Sequence, residues 1–170
     1  MAAIDSRETD LDWPTLGAAA GALLKERRQT IAVAESSAGG LINASLVAVP
    51  GASAFYLGGG VIYTAASRQG VLGITREEMK GLRSASEPFA KLMAARVRAN
   101  LGADWGLAET GAAGPTGNRY GDAAGHACIA VSGPRDAVIT VETGIADRDA
   151  NMREFARRAL ELLESCLRAS

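Results

Sequence analysis

The chain has 170 residues, 48% of them hydrophobic and 22% charged, with 18 basic against 19 acidic side chains and a net charge of −1. That length and balance suit one domain with its own core and exclude general disorder. Near-neutrality also excludes a global field that would draw in nucleic acid or an anionic membrane surface.

Residues 1–12, opening MAAIDSRETD, read as a flexible arm ahead of one domain over 13–170. Asp12 can cap a helix whose Leu16, Ala20, Leu23 and Leu24 follow the i, i+4, i+7, i+8 pattern up to the basic KERRQ. TIAVAE (30–35) reads as a short buried strand that breaks at ESSAGG. Residues 38–48 look helical, with Leu41, Ala44, Ser45 and Ala48 on one side and Pro50-Gly51 as the stop. GGGVIYT (58–64) predicts a glycine-loosened strand, followed by a short helix through Arg68 and Leu72. Thr75 and Glu78 carry a capping-box spacing for a helical turn.

Ser86 can cap a longer helix over 87–101, with Phe89, Leu92, Met93 and Val97 along one face and Pro88 harmless in the first turn. DWGLAET (104–110) is a strand, and the glycine-rich 111–125 segment is a long loop of the kind that is usually functional or mobile. HACIAVS (126–132) and AVITVET (137–143) form a hairpin around Gly133-Pro134. A last helix over 148–169 presents Met152, Phe155, Ala156, Ala159, Leu163, Cys166 and Leu167 to the core, with Glu154–Arg158 and Glu164–Arg168 as i,i+4 pairs. This order predicts an α/β fold, a three-layer α/β/α sandwich on a mixed sheet.

Cys128 and Cys166 lie in apolar runs and read as core-filling thiols. With one histidine and no cysteine cluster, neither a metal site nor a cofactor is expected. No signal-like or membrane-spanning stretch is present, so the expected location is the cytoplasm.

Chemistry concentrates at four places. Ser36 stands where a strand turns into a helix, either as a nucleophile beside unpaired helix N-terminal amides or as a helix cap. Gly39 and Gly40 would let a ligand approach the backbone. Tyr63 at a strand end is either a hydrogen-bond donor in the site or a core ring, and Arg68 by default a solvated helix residue. ETGAAGP (109–115) follows a strand, where crevices in open α/β sheets bind ligands, and glycines 111, 114 and 117 suit a backbone wrapping a phosphate or ribose. Asp147 is a natural N-cap, which leaves Arg148 where the helix dipole disfavours a cation; an anionic partner or an idle exposed arginine would both account for it.

These pieces, in this order and over about 14–168, resemble the C-terminal domain of the CinA family, which includes nicotinamide-nucleotide amidases. The family pattern AES-C-T-GG, PGSS, Y-S-N-x-x-K, L-G, V-S-E, T-G-I-A-G-P and G-D-R is matched by AESSAGG, PGASAFYLGGGVIYTAASRQGVLGI, SASEPFA, ETGAAGP and IADRDANMRE. The separate N-terminal domain of full-length members is not expected in this chain. The resemblance implies that Ser36 attacks the carboxamide of nicotinamide mononucleotide (NMN), with Tyr63 lining the site and Arg148 and Arg153 holding substrate. The position of the family's lysine base holds Arg68.

The expected site therefore has Ser36, Tyr63 and Arg68 at catalytic positions. Glu35, Ser37, Gly39, Gly40, Thr110, Gly111, Gly114, Arg148 and Arg153 are the expected substrate-binding positions. The expected partner is a pyridine nucleotide or similar small anion, and a sandwich this small is compatible with a homo-oligomer. Arginine outnumbers lysine 15 to 3, and a guanidinium, unlike a buried amine, cannot take a proton at working pH. Glu35 and His126 are the alternative bases; alternation along the strand points Glu35 away from Ser36, while the usual imidazole range suits His126. Further departures are Ser37 for cysteine, Ala38 for threonine, Ala65 for asparagine, and DAAGH (122–126) where the family has P-V-G-T.

Overall fold

The computed structural model describes residues 13–170, so the expected arm and the Asp12 cap lie outside the described residues. Five strands form one mixed sheet in the order β2-β1-β3-β4-β5. They are β1 (Ile31–Glu35), β2 (Tyr56–Val61), β3 (Trp105–Ala112), β4 (His126–Ser132) and β5 (Ala137–Glu142). Parallel pairing joins β1 to both β2 and β3, whereas β3–β4 and β4–β5 are antiparallel.

Side-chain alternation along the strands creates two unlike cores. Ile31, Val33, Trp105, Leu107, Ile129 and Val131 face one side and meet α2 (Ala18–Arg27), α3 (Leu41–Val47) and α6 (Arg148–Arg168). Ala32, Ala34, Ala108 and Ala130 face the other side and meet α5 (Glu87–Leu101), with α4 (Ala65–Leu72) beside it. Small residues on that face admit the α5 backbone itself. A Cβ on Gly106 would stand 2.1 Å from the Ala94 carbonyl oxygen. The expected three-layer sandwich is the observed fold.

Local chemistry explains where the elements differ from expectation. The first helix is split into α1 (Trp13–Leu16) and α2 at Gly17, where a Cβ would meet the Ser45 carbonyl oxygen at 2.2 Å. Helix α3 starts three residues late because Gly39 and Gly40 hold φ of 68° and 104°, outside the helical region. Its buried face is Ile42, Ser45 and Leu46, not Leu41, Ala44, Ser45 and Ala48. Strand β2 ends at Val61, so Tyr63 lies in the link before α4 rather than at a strand end.

The capping-box bonds between Thr75 and Glu78 are present, but they close a run of turns and no helix follows. In α5 and α6 the expected caps hold: Ser86 accepts from Phe89 N and Asp147 from Ala150 N. Along α6, Asn151 and Leu160 join the buried stripe, and Glu154 pairs with Arg157 rather than Arg158. Glu164 and Arg168 pair as expected.

Two glycine replacements test this packing in opposite directions. Gly106→Ala forces a methyl against α5 and should destabilise by about 1–3 kcal/mol. Gly70→Ala, in α4 with open space at its Cβ, should stabilise by about 0.4–1 kcal/mol. Urea denaturation of both variants measures the two signs; equal effects would contradict the close approach of α5.

Candidate functional site

The Ser36 segment is built around two buried carboxylates at the ends of adjacent parallel strands. Glu35, the last residue of β1, accepts from Ile42 N at 3.1 Å and Asn43 N at 2.8 Å, so it caps α3. Asn43 Nδ2 donates to it as well, at 2.5 Å. Glu109, in β3, accepts from Ser36 N at 3.0 Å, from Ala38 N at 2.8 Å and from the Ser37 hydroxyl. Both carboxylates are fully inaccessible.

Four amides of the segment expected to receive an oxyanion, Ser36 N, Ala38 N, Ile42 N and Asn43 N, are therefore already held by the protein's own carboxylates. Ser36 is not a helix cap either, since Gly40 holds that position. Its half-buried side chain lines a cavity of about 520 Å³ at the C-terminal ends of β1, β2 and β3. Tyr63, Arg68, Thr110 and Gly111 share that cavity.

Tyr63 is no core ring, being 59% exposed, and its hydroxyl accepts from Arg148 Nη2 at 2.8 Å. Arg68 is not solvated as expected: its Nε is buried and has no hydrogen-bond partner. Thr110 is buried and accepts from Ala85 N at 3.1 Å, which fixes the 84–86 turn at the cavity wall. Ala85 holds a left-handed φ of 53° there.

The remaining expected ligand-binding positions do structural work. Glu35 and Ser37 are engaged on the α3 side of the sheet, opposite the cavity. A Cβ on Gly39 would meet Met152 of α6 at 2.6 Å, and Gly40 serves as a left-handed cap. Gly114 packs against the Ala146 carbonyl, while Gly117 closes on Asp122 within its own loop. Arg148 spans Gly114 O, at 2.6 Å, and Tyr63, which puts it beside the cavity rather than in its lining. Arg153 is held along α6 by Asp149 at 2.8 Å and does not reach the cavity.

Neither alternative base stands at the nucleophile. Glu35 is spent on the α3 amides. His126 lies between Glu142, which contacts its Nδ1, and the Ala85 carbonyl, 2.9 Å from its Nε2. Burial disfavours the imidazolium, but Glu142, the Ala85 carbonyl and the Asp122 charge outweigh it and hold the group above its usual range. Two acceptors on the two ring nitrogens require both to carry protons. All three lysines lie outside the cavity lining. Both cysteines are buried and free, with burial pushing their thiols up.

Glu109, Arg119 and Tyr120 are among the site residues that the sequence does not reveal. Glu109 stood out only as an acid inside the apolar run WGLAETGA, a placement that demands partners. Arg119 and Tyr120 line the cavity from the long loop, where no periodicity points to them. Among the described residues, no group of three or more His, Cys, Asp or Glu side chains could hold a metal ion, and no helix is long and apolar enough to cross a membrane.

Fold and site together define an α/β domain with a hydroxyl and guanidinium groups facing a cavity at the ends of its parallel strands. Comparison with known proteins names the class further. The chain matches the CinA C-terminal domain over residues 14–167, and it belongs to the CinA family.

It is 38% identical over 165 residues to a CinA-like protein of Gloeobacter violaceus, covering 96% of this chain and 38% of that protein. A CinA-like protein of Desulfosudis oleivorans is 41% identical over 150 residues, covering 87% and 36% respectively. The chain thus spans under two fifths of the length of these curated relatives. Among solved structures, a competence-damaged protein (CinA) superfamily protein of Klebsiella pneumoniae matches with a TM-score of 0.86 at 26% identity, covering 94% of this chain and 99% of that one. A competence/damage-inducible protein of Agrobacterium tumefaciens matches with a TM-score of 0.81 at 26% identity, covering 98% and 99%.

Burial pushes the Glu109 carboxyl up to about 7 against the three hydrogen bonds that favour its ionised form. Its folded pKa lies above the ordinary 4.5, so folding takes up a proton between those values. The associated stability is fully present below pH ~4.5 and is lost as pH rises through ~7, by about 3 kcal/mol at most. Glu109→Gln keeps acceptor and donor functions while removing the charge. Chemical denaturation from pH 4.5 to 8.5 should show the native protein losing stability relative to this variant across that window. Parallel profiles would contradict the assignment.

Proposed function

We propose that the cavity is a nucleotide site of the amidase type, taking NMN or a similar phosphorylated carboxamide, with slow turnover. The reaction would be NMN plus water giving nicotinate mononucleotide and ammonia. The Ser36 oxygen attacks the carboxamide carbon, ammonia leaves with the proton released from the hydroxyl, and water then cleaves the acyl-serine ester. The observation that carries this reading is the meeting of Ser36, Tyr63, Arg68 and Thr110 on one cavity.

Slowness follows from what surrounds the hydroxyl. A serine is a weak nucleophile until a neighbour accepts its proton, and losing that acceptor costs typically about 10²- to 10⁴-fold in rate. Arg68 cannot accept one, and two amides of the Ser36 turn, Ser36 N and Ala38 N, are held by Glu109. These two observations favour a second reading as well, in which the cavity binds a nucleotide-like anion without hydrolysing it.

Ammonia release from NMN by purified protein distinguishes the two. We expect slow release from the native chain, none from Ser36→Ala, and a gain of about a hundredfold on Arg68→Lys, the low end of the usual contribution of a general base. Rapid native turnover abolished by Ser36→Ala would overturn the argument from the missing base. No release from any form, with NMN still raising the melting temperature, would select the binding reading.

A further inference from the structure

The cavity holds two guanidinium groups, Arg68 and Arg119, and no carboxylate in its lining. Among the described residues neither arginine has a carboxylate partner, whereas Arg83, which shares the Tyr120 ring with Arg119, does. In a chain of net charge −1, this is a local excess of two positive charges around one concave surface.

Arg119 is also held in place. Its Nη2 donates to the Tyr120 hydroxyl at 3.0 Å, and its guanidinium carbon lies 5.1 Å from the Tyr120 ring centroid. The same ring receives Arg83 at 5.5 Å, and Arg83 is fastened to Asp122 through both Nη atoms. Asn118 ties the loop from within: its Oδ1 accepts from Tyr120 N at 2.9 Å and its Nδ2 donates to Asp122 at 2.8 Å. Asp122 thereby neutralises Arg83, and Arg119 keeps its charge while being pre-oriented, which lowers the ordering cost of binding an anion.

The two arginines offer different environments. Arg68 presents a buried donor without a partner, a state that costs free energy until an acceptor arrives. Its fork suits a bidentate carboxylate, and a carboxamide would turn an N–H2 group toward a cation. Arg119 stands on an exposed loop position, where a strongly hydrated phosphate can stay partly in water.

We propose that this cavity selects small molecules carrying two separated anions, with Arg119 on a phosphate monoester and Arg68 on a carboxylate beside Ser36. The inference rests on the reading of the cavity as a pyridine-mononucleotide site and deepens it. The chain binds the acid form, nicotinate mononucleotide, more tightly than the carboxamide form.

Isothermal titration of the full chain with nicotinate mononucleotide, NMN and nicotinate riboside tests this. The acid nucleotide should bind at least about tenfold more tightly than NMN, as expected for one charge-assisted fork against a mismatched amide. Arg68→Gln should remove that preference. Arg119→Gln should weaken both nucleotides by a common factor of about tenfold and leave the riboside, which lacks the phosphate, unchanged. Equal affinity for the two mononucleotides overturns the proposal while leaving the nucleotide site intact, as does an Arg119→Gln protein that binds both like the native chain. Binding of neither mononucleotide overturns both.

Discussion

The Ser36 segment takes its shape from the carboxylate of Glu109. One buried side chain in β3 gathers two backbone amides and a hydroxyl from the turn that follows β1. The bond network crosses between adjacent parallel strands, so the turn is tied to the sheet at three points. Glu35 does the same for the start of α3. Two acids that would be costly inside an apolar core are thus made tolerable by amides that would otherwise be orphans. The Ser36 side chain is left at the cavity while its backbone faces inward.

That arrangement separates two tasks that the sequence motif runs together. Alternation along β1 and β3 sends Glu35 and Glu109 to the α3 side, and Thr110 to the α5 side with the cavity. The carboxylates set the frame and the opposite face does any binding. Charge then decides the character of the cavity. Arg68 and Arg119 line it, Arg148 reaches its edge through Tyr63, and no acidic side chain is present in the lining. A site so composed lacks a carboxylate, lysine or histidine to accept a proton and carries a local excess of positive charge.

Most of the fold was legible because the strands and longer helices carry strong periodic patterns. Residues 126–132, 137–142 and 87–101 fall where alternation, turn residues and caps put them. What escaped was set by backbone contacts that leave no periodic trace. Residue 17, where the first helix is split, is a glycine against Ser45 O, and Gly39-Gly40 delay α3 through their own dihedrals. In the site, Ser36, Thr110 and Gly111 could be named from their place at strand ends, and Tyr63 and Arg68 only through the family resemblance. Arg119 and Tyr120 could not, since a loop ordered by Asn118, Asp122 and a distant Arg83 has no signature within any one stretch. Conversely Arg153 and Gly39 drew attention by type, and neighbours on α6 account for both.

Ser36 shares its cavity with two guanidinium groups and with no carboxylate, lysine or histidine. A crystal structure of the full chain soaked with nicotinate mononucleotide tests it most directly. The ring carboxylate should lie on Arg68 next to Ser36 Oγ and the phosphate on Arg119, with Glu109 still holding the amides beneath. Ligand density elsewhere, or Ser36 Oγ turned away from the ligand toward a side chain able to take its proton, would contradict it.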